Sequence, residues 1–236
     1  LTAHAIENLA DPLVKSLPKR LISKAQMSHL KDLSASQALW DNIEEEYGAS
    51  SYVLKPRQDG CSAGIVQVSS AEDLQNYARF VASQVEAIPA GMFKEQGSVI
   101  EMSVGADNFI LEPYIETDEL IIKGQELIHH PREGWLELTV GVLESMGKYE
   151  SLLPSIAIAE GAVLSLEEKF QGGTGVNITP PSESLLSKEQ VMNIQKAIER
   201  IAHGLGIENY ARIDIFVNCR TDEIIVIEAN SLPGMT

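Results

Sequence analysis

The clearest chemical signal is a pair of strand-like segments near the end of the chain that carry charged and amide side chains. Because side chains alternate along a strand, Arg212 and Asp214 share one face of the first segment. Glu228 and Asn230 likewise share one face of the second segment. A turn centred near Thr221 would place Asp214 directly opposite Glu228. Arg212 would then lie opposite Asn230.

Two carboxylates paired in this way predict a cation site. Cβ atoms of directly opposite strand residues lie about 4.5 to 5.5 Å apart, so the two charges repel each other unless something neutralises them. Carboxylate and amide oxygens are the hard ligands that Mg²⁺ takes, and its other positions stay available for water and phosphate oxygens. A hairpin with one solvated polar face is the alternative interpretation, and these four residues by themselves favour neither.

Two lysines are candidates for binding phosphate. Lys55 ends a predicted strand just before the glycine-bounded turn 57–64, where backbone N–H groups could approach an anion. The turn carries neither a P-loop nor a dinucleotide-binding pattern, and a glycine-containing hairpin turn usually has a purely structural role. Lys169 lies in the segment 165–184, which is predicted to be a mobile loop, where a lysine is usually only solvated.

Other reactive side chains give weaker signals. His129 and His130 would point to opposite faces of a strand, and no third ligand lies at metal-binding spacing, so we interpret both as surface residues. The two cysteines, Cys61 and Cys219, are too few for a disulfide framework and lack metal-ligand spacing. They favour a reducing compartment over secretion.

The elements that must position these residues predict an α+β fold with mostly antiparallel pairing. Capping boxes that start at Ser34 and Ser187 begin two of the predicted helices. Residues 1–31 suggest short helical pieces, and residues 123–134 look like an insertion. The predicted helices are 34–47, 70–86 and 187–205, and the predicted strands are 51–56, 65–68, 109–115, 119–123, 135–143, 155–159, 211–218 and 223–230.

Composition excludes several classes of protein. The 236 residues include 18 Lys and Arg against 34 Asp and Glu, which gives a formal net charge of −16. This negative excess argues against nucleic acid or an anionic membrane surface as the main partner. No apolar run approaches the ~18 residues that span a bilayer. Because the first residue is Leu1 rather than Met, the sequence is expected to be a fragment or a processed product.

Eight short segments form an ordered set of motifs from about residue 50 to the end of the chain. They are 53–56 (VLKP), 59–64 (DGCSAG), 110–115 (ILEPYI), 136–140 (LELTV), 153–155 (LPS), 168–170 (EKF), 211–214 (ARID) and 228–236 (EANSLPGMT). Together they resemble the ATP-grasp superfamily and, within it, the D-alanine–D-alanine ligases. Each motif alone is weak, but the ordered set is specific, and its ending is the most specific part.

The resemblance implies a role for each residue that matches a family motif. The expected nucleotide contacts are Lys55, Gly60, Cys61, Glu112, Pro113, Ile115, Glu137 and Lys169, with Glu119 as a second candidate for the ribose-binding acid. The expected ligands of Mg²⁺ (or Mn²⁺) are Asp214, Glu228 and Asn230. The expected catalytic groups are Arg212, Lys169 and Ser62, and the expected substrate contacts are Phe170 and Gly234.

The implied activity is an ATP- and Mg²⁺-dependent ligation that forms D-alanyl-D-alanine through an acyl phosphate, for peptidoglycan of the cell wall. Two departures from the family pattern leave alternatives open. Cys61 stands where the family usually has serine, and Phe170 stands where dipeptide-forming members usually have tyrosine. The alternatives are a ligase that uses a hydroxy acid such as D-lactate as acceptor, or a non-catalytic nucleotide-binding half of a larger ligase.

The resemblance also implies a domain organisation and partners. Residues 1–30 would be a residual N-terminal or linker segment, 31–115 the central subdomain, and 116–236 the C-terminal subdomain, truncated at its end. The family's N-terminal domain would be absent, so the isolated fragment is expected to be inactive. Expected partners are ATP, D-alanine and the absent domain or a second ligase unit, as in plant-type fused ligases, with a homodimer as a further option. The expected location is the cytoplasm, or the plastid stroma for a plant-type ligase.

Overall fold

The computed structural model of the chain describes residues 2–57, 63–94, 96–102, 105–123, 126–160 and 176–231. Within these residues the chain forms two compact units, each with its own hydrophobic core. The central unit is Pro18–Tyr114. The second unit, called the terminal unit, consists of the described residues up to Leu17 and from Ile115 onward.

The described ranges contain both helices and strands. The helices are α1 (Thr2–Glu7), α2 (Lys24–His29), α3 (Leu33–Tyr47), α4 (Ala71–Ala82) and α5 (Lys188–Leu205). The strands are β1 (Val14–Ser16), β2 (Arg20–Ser23), β3 (Tyr52–Pro56), β4 (Val66–Val68), β5 (Ala87–Ile88), β6 (Ile100–Glu101), β7 (Asn108–Pro113), β8 (Glu119–Lys123), β9 (Glu126–His130), β10 (Trp135–Ser145), β11 (Lys148–Ser151), β12 (Ile156–Glu160), β13 (Val176–Ile178), β14 (Tyr210–Asn218) and β15 (Ile224–Asn230).

The central unit is built on an antiparallel sheet in the order β2-β7-β3-β4. The predicted hairpin of 51–56 and 65–68 is confirmed, because β3 and β4 pair in antiparallel register. Helices α2, α3 and α4 share one core with this sheet, in which Ile43, Leu54, Leu74 and Tyr77 are fully buried. Each such side chain contributes roughly 1.5 to 3 kcal/mol relative to an exposed one. The core therefore fixes the strands on which Lys55 and Glu112 stand.

The helix boundaries confirm one of the two predicted capping boxes and correct the other. Helix α3 begins one residue earlier than predicted, because the Asp32 carboxylate, rather than Ser34, caps it by accepting a bond of 2.8 Å from the Ser34 N–H. Gly48 ends this helix in the left-handed conformation. The capping box predicted at Ser187 is confirmed, and α5 ends at a left-handed Gly206.

The terminal unit contains two sheets. The larger has the order β1-β15-β14-β10-β11, and the smaller has the order β13-β12-β8-β9. Two pairings, β1 with β15 and β12 with β8, are parallel, and the others among the described strands of this unit are antiparallel. Alternate residues of β10 are buried and share a core with the apolar stripe of α5. The opposite face of the larger sheet is therefore the one left for polar side chains.

Some elements differ from the sequence-based expectation. The presumed insertion 123–134 contains β9, which pairs with β8 in antiparallel register. The first 31 residues, expected to hold short helices, also contain strands β1 and β2. Both strands are short, and their pairing partners lie far away in the sequence, so local patterns gave no signal for them. Most of the predicted loop 165–184 lies outside the described residues, and Val176–Ile178 within it is strand β13.

Two further expectations concern the whole chain. No helix in the described ranges is long and apolar enough to cross a membrane. The division into 1–30, 31–115 and 116–236 stays a prediction. The described residues up to Leu17 belong to the terminal unit, whereas the central unit begins at Pro18.

Candidate functional site

The hairpin of β14 and β15 carries the predicted cation ligands in the predicted register. Asp214 pairs with Glu228, and Arg212 pairs with Asn230. Buried side chains on the opposite face, including Ile213, lock this register, because a shift by one residue would turn them toward solvent. The register shifts just after Asp214, and such an irregularity bends a strand and re-aims its side chains.

Asp214 is the centre of a hydrogen-bonded group on the polar face of the larger sheet. Arg212 donates from Nε to Asp214 Oδ1 at 3.1 Å and from Nη2 to Oδ2 at 3.0 Å. Thr139, directly opposite on β10, donates its hydroxyl to Oδ1. Asn230 Nδ2 donates to Oδ2 at 3.0 Å. The Asp214 side chain keeps 16% of its exposure, so it is ordered by these donors and still reachable from solvent.

Asn230 connects the two carboxylates. Its Nδ2 also donates to Glu228 Oε1 at 2.8 Å, so oxygens of Asp214 and Glu228 both lie within 3.0 Å of one nitrogen. The polar end of the amide thus occupies the position between the two acids. Rotating the amide by 180° would present its oxygen there in place of its nitrogen. We call Arg212, Asp214, Glu228 and Asn230 the acidic face.

The donor set of the acidic face suits a hard divalent cation. Two carboxylates and an amide oxygen provide oxygen ligands only, which is the preference of Mg²⁺ and Mn²⁺. In the described part of the chain, no group of three or more His, Cys, Asp or Glu side chains is placed to hold a metal ion. The acidic face has two acids and depends on Asn230 for its third ligand. The residues present therefore fit the cation that the sequence predicts.

The two candidates for a ribose-binding acid lie on different sheets of the terminal unit. Glu137 is half-buried on β10, two residues before Thr139 and on the same polar face. Glu119 is on β8 in the smaller sheet, with its carboxylate 3.8 Å from Arg132 Nη2. Glu137 shares its sheet face with the acidic face, whereas Glu119 lies on the smaller sheet beside Arg132. The assignment of either residue to a ribose stays a prediction.

Lys55 and Glu112 meet in the central unit. They stand on adjacent strands β3 and β7 as diagonal neighbours, since Lys55 pairs with Ile110. Lys55 Nζ lies 2.5 Å from Glu112 Oε1. The Glu112 side chain is only 7% exposed and that of Lys55 19% exposed, so this ion pair is largely shielded from water. Sequence reasoning placed both residues at a nucleotide site without predicting their contact.

Lys19 is a residue of this group that sequence reasoning missed. Its Nζ lies 3.4 Å from Glu112 Oε2, the oxygen that Lys55 does not hold. That oxygen is buried and, among the described residues, accepts no hydrogen bond of good geometry. No local pattern marks Lys19, because it approaches Glu112 only through the pairing of β2 with β7. We call Lys19, Lys55 and Glu112 the lysine cluster.

The remaining predicted residues fall near a unit boundary or outside the described ranges. Pro113 is the buried last residue of β7, opposite Tyr52. Ile115 is half-buried and is the first residue of the terminal unit after Tyr114. The predicted residues outside the described ranges are Gly60, Cys61, Ser62, Lys169, Phe170 and Gly234.

His130 is exposed, as expected, whereas His129 keeps 27% of its side-chain exposure and pairs with a buried acid. Its ring Nε2 lies 2.8 Å from Oδ2 of Asp118, whose side chain is fully buried. The backbone N–H groups of Arg132 and Gly134 donate to the other oxygen of Asp118, each at 2.8 Å. Burial by itself raises the pKa of Asp118, but these hydrogen bonds, with His129, hold that pKa below its ordinary value. This group fastens β9 and the turn after it.

Comparison with known proteins relates the chain to one group of enzymes. Residues 95–236 match the family described as D-ala D-ala ligase C-terminus. The D-alanine–D-alanine ligase of Halalkalibacterium halodurans is 27% identical over 150 residues, covering 60% of this chain and 45% of that protein. D-alanine–D-alanine ligase A of Pseudomonas putida is 27% identical over 224 residues, covering 94% of this chain and 52% of that protein. The chain spans about half the length of these relatives.

The fold agrees with the sequence comparison. The crystal structure of D-alanyl-alanine synthetase A from Vibrio cholerae superposes with a TM-score of 0.59 at 19% identity, covering 98% of this chain and 54% of that one. The family match and this structural similarity together confirm the predicted α+β, ATP-grasp class.

Proposed function

Because the chain belongs to the D-ala D-ala ligase C-terminus family, we propose that it is the nucleotide- and cation-binding part of an enzyme that joins two D-alanine molecules at the expense of ATP. The observation that carries the proposal is the acidic face. Asp214, Glu228 and Asn230 meet there beside Arg212, which is the set that the family resemblance assigns to metal and transition state.

In this proposal the lysine cluster binds the phosphate end of ATP. Lys55 is the cation that contacts the α- and β-phosphates, and it is held in place by a shielded carboxylate. A lysine is a mobile point charge, so it can exchange a carboxylate for a phosphate oxygen without rebuilding the strand that carries it. Pro113 and Ile115 are proposed to contact the adenine through their backbone, and Glu137 is proposed to contact the ribose.

The acidic face would hold Mg²⁺ or Mn²⁺ through Asp214, Glu228 and Asn230. The ion would neutralise phosphate charge when bound. Arg212 is clamped by the Asp214 carboxylate and keeps 39% of its side-chain exposure, so its guanidinium is both oriented and accessible. A fixed cation of this kind stabilises negative charge that develops on transferred phosphoryl oxygens. Thr139 fixes Asp214 from the other side.

The proposed reaction has two steps. The carboxylate of the first D-alanine attacks the γ-phosphorus of ATP, which forms an acyl phosphate and releases ADP. The amine of the second D-alanine then attacks the acyl carbon, phosphate leaves, and the nitrogen gives up a proton. Of the proposed catalytic and substrate residues, Ser62, Lys169, Phe170 and Gly234 lie outside the described ranges.

The test is a turnover assay on the full-length protein. With Mg²⁺, ATP and D-alanine, we expect ADP release that depends on D-alanine, and D-alanyl-D-alanine as the product by mass spectrometry. L-Alanine is the matched control and should give no product. An ester product with D-alanine plus D-lactate would favour the hydroxy-acid alternative. ATP binding without turnover on any of these substrates would favour the non-catalytic alternative and overturn the proposed activity.

The proposal also covers the rest of the protein, its oligomeric state and its location. Since the chain spans about half of its relatives, a further domain or a second ligase unit is proposed to complete the enzyme. A homodimer is also proposed. The isolated 236 residues are expected to be inactive, and a cytoplasmic location is proposed. Comparing turnover of the isolated chain with that of the full-length protein tests the first of these points.

A further inference from the structure

We propose that Lys19 is a positioning residue that keeps the Glu112 charge paired while Lys55 turns from Glu112 to a phosphate. This inference rests on the proposed function, because it requires that Lys55 meets a nucleotide. Lys19 itself is not proposed to touch the nucleotide.

The geometry gives each oxygen of Glu112 its own lysine. Lys55 Nζ lies 2.5 Å from Oε1, and Lys19 Nζ lies 3.4 Å from Oε2. Strand β7 lies between β2 and β3 in the sheet. Lys19, just before β2, and Lys55, on β3, therefore approach Glu112 from opposite sides. Arg20 pairs with Leu111, and continuing this antiparallel register by one residue sets Lys19 opposite Glu112. The cluster therefore contains two cations for one anion.

Burial explains why the second cation is needed. The Glu112 side chain is 7% exposed, and a carboxylate at this depth is stable as an ion only when it is paired. If Lys55 were its sole partner, moving Lys55 to a phosphate would leave a shielded, unpaired charge. That penalty would make the free energy of nucleotide binding less favourable.

The contact between Lys19 and Glu112 can also become shorter and stronger. Oε2 is buried and accepts no hydrogen bond of good geometry from the described residues, although the lysine ammonium is only 3.4 Å away. The Lys19 side chain is 31% exposed and can approach further. When Lys55 leaves, a small movement of Lys19 would convert this contact into a direct charge-assisted hydrogen bond. Glu112 would then remain ionised and in place.

The proposal is tested by measuring ATP and adenosine binding to the full-length protein by calorimetry or competition. For Lys19→Gln we expect ATP to bind about tenfold or more weakly than in the wild type. Adenosine should bind within about twofold of wild type, because it carries no phosphate to draw Lys55 away from Glu112. Lys19→Arg should restore most of the ATP affinity. A residue with a merely structural role would weaken both ligands alike.

Lys24→Gln is the matched control. Lys24 belongs to the same unit and forms an ion pair of similar length, 3.2 Å to Asp107, but both side chains are exposed. This substitution should leave ATP binding unchanged. If Lys19→Gln is poorly folded, the double variant Lys19→Gln with Glu112→Gln supplies the second test, because removing the stranded charge should abolish the effect of the lysine.

The outcomes separate the two proposals. ATP binding in the wild type with no loss in Lys19→Gln overturns the role of Lys19 and leaves the proposed function intact. An equal loss of ATP and adenosine binding, or a loss in Lys19→Gln that persists undiminished in the Glu112→Gln background, also overturns it. Failure of the wild type to bind ATP overturns both proposals.

Discussion

The lysine cluster and the acidic face handle charge in opposite ways. In the lysine cluster, one buried carboxylate pairs with two lysines, so the group contains one more cation than it has anions. The acidic face has two carboxylates and one arginine, which pairs with Asp214, and Glu228 is exposed. The first arrangement can release a cation to an anionic ligand, whereas the second can accept a cation.

Under the proposed function, this difference explains how a strongly acidic chain would bind a triphosphate. The net charge of −16 repels phosphate as a whole, and only local surpluses of cations can reverse that effect. The lysine cluster is one such surplus, and the acidic face would become favourable to phosphate once the proposed divalent ion neutralised it. Variants that change one region and leave the other intact test this division.

The largest expected effect comes from the acidic face. Asp214→Asn should lower kcat/KM of the proposed ligase reaction in the full-length protein by about a thousandfold or more, because it removes a proposed cation ligand and the carboxylate that orients Arg212. The fold should persist, since Arg212 and Asn230 stay on a hairpin held by its apolar face. Steady-state kinetics with varied Mg²⁺ checks the loss. Glu150→Gln, which removes an exposed acid on β11 of the same sheet, is the control and should retain wild-type activity.

A smaller effect is expected from the lysine cluster. Lys55→Gln should weaken ATP binding by about 10- to 100-fold, as the loss of a charge-assisted contact predicts. It should do so whether or not Mg²⁺ is present, which sets it apart from the acidic face. Isothermal titration with Lys31→Gln as an exposed control checks this expectation. ATP affinity equal to that of the wild type would remove Lys55 from the nucleotide site.

The same substitution in both regions should affect stability differently. Glu112→Gln should lower the free energy of unfolding by about 2 kcal/mol, because two lysines lose the charge that holds them. Glu228→Gln should change it by no more than about 0.5 kcal/mol, since an exposed acid loses little on neutralisation. Urea denaturation of both variants measures the difference. Equal losses would show that burial does not distinguish the two acids.

The smallest effect is a pH dependence outside both regions. The pKa of Asp118 is held below the ordinary value of an aspartate, about 3.9. The ionised Asp118 therefore contributes its full stability above about pH 4, and this contribution is lost as the pH falls through the lowered pKa. Asn does not titrate. Asp118→Asn should therefore be less stable at neutral pH and show a shallower loss of unfolding free energy between about pH 5 and pH 2. Asp41→Asn, an exposed acid on α3, should keep the wild-type slope.

The acidic face was predictable because its geometry follows from local rules. Alternation along two neighbouring strands and one short turn are enough to pair Asp214 with Glu228, and the structure confirms that register. The orientation of the Asn230 amide was not predictable, since it depends on which donors and acceptors surround it.

The lysine cluster was only half predictable. Family motifs identify Lys55 and Glu112, but Lys19 stands just before strand β2, whose partner β7 lies about ninety positions away, and no periodicity encodes that pairing. The same reason explains why the sequence gives no signal for β1, which pairs with β15. The cap of α3 was placed at Ser34 because two possible N-caps stand close together, and the stronger acceptor, Asp32, comes first.

The most direct test of the division between the two regions is the effect of Mg²⁺ on ATP binding to the full-length protein. The dissociation constant of ATP would be measured with and without Mg²⁺ for the wild type, Lys55→Gln and Asp214→Asn. We predict that Asp214→Asn binds ATP without Mg²⁺ at least as well as the wild type but loses the gain that Mg²⁺ brings, while Lys55→Gln keeps that gain. A full Mg²⁺ gain in Asp214→Asn would contradict the account.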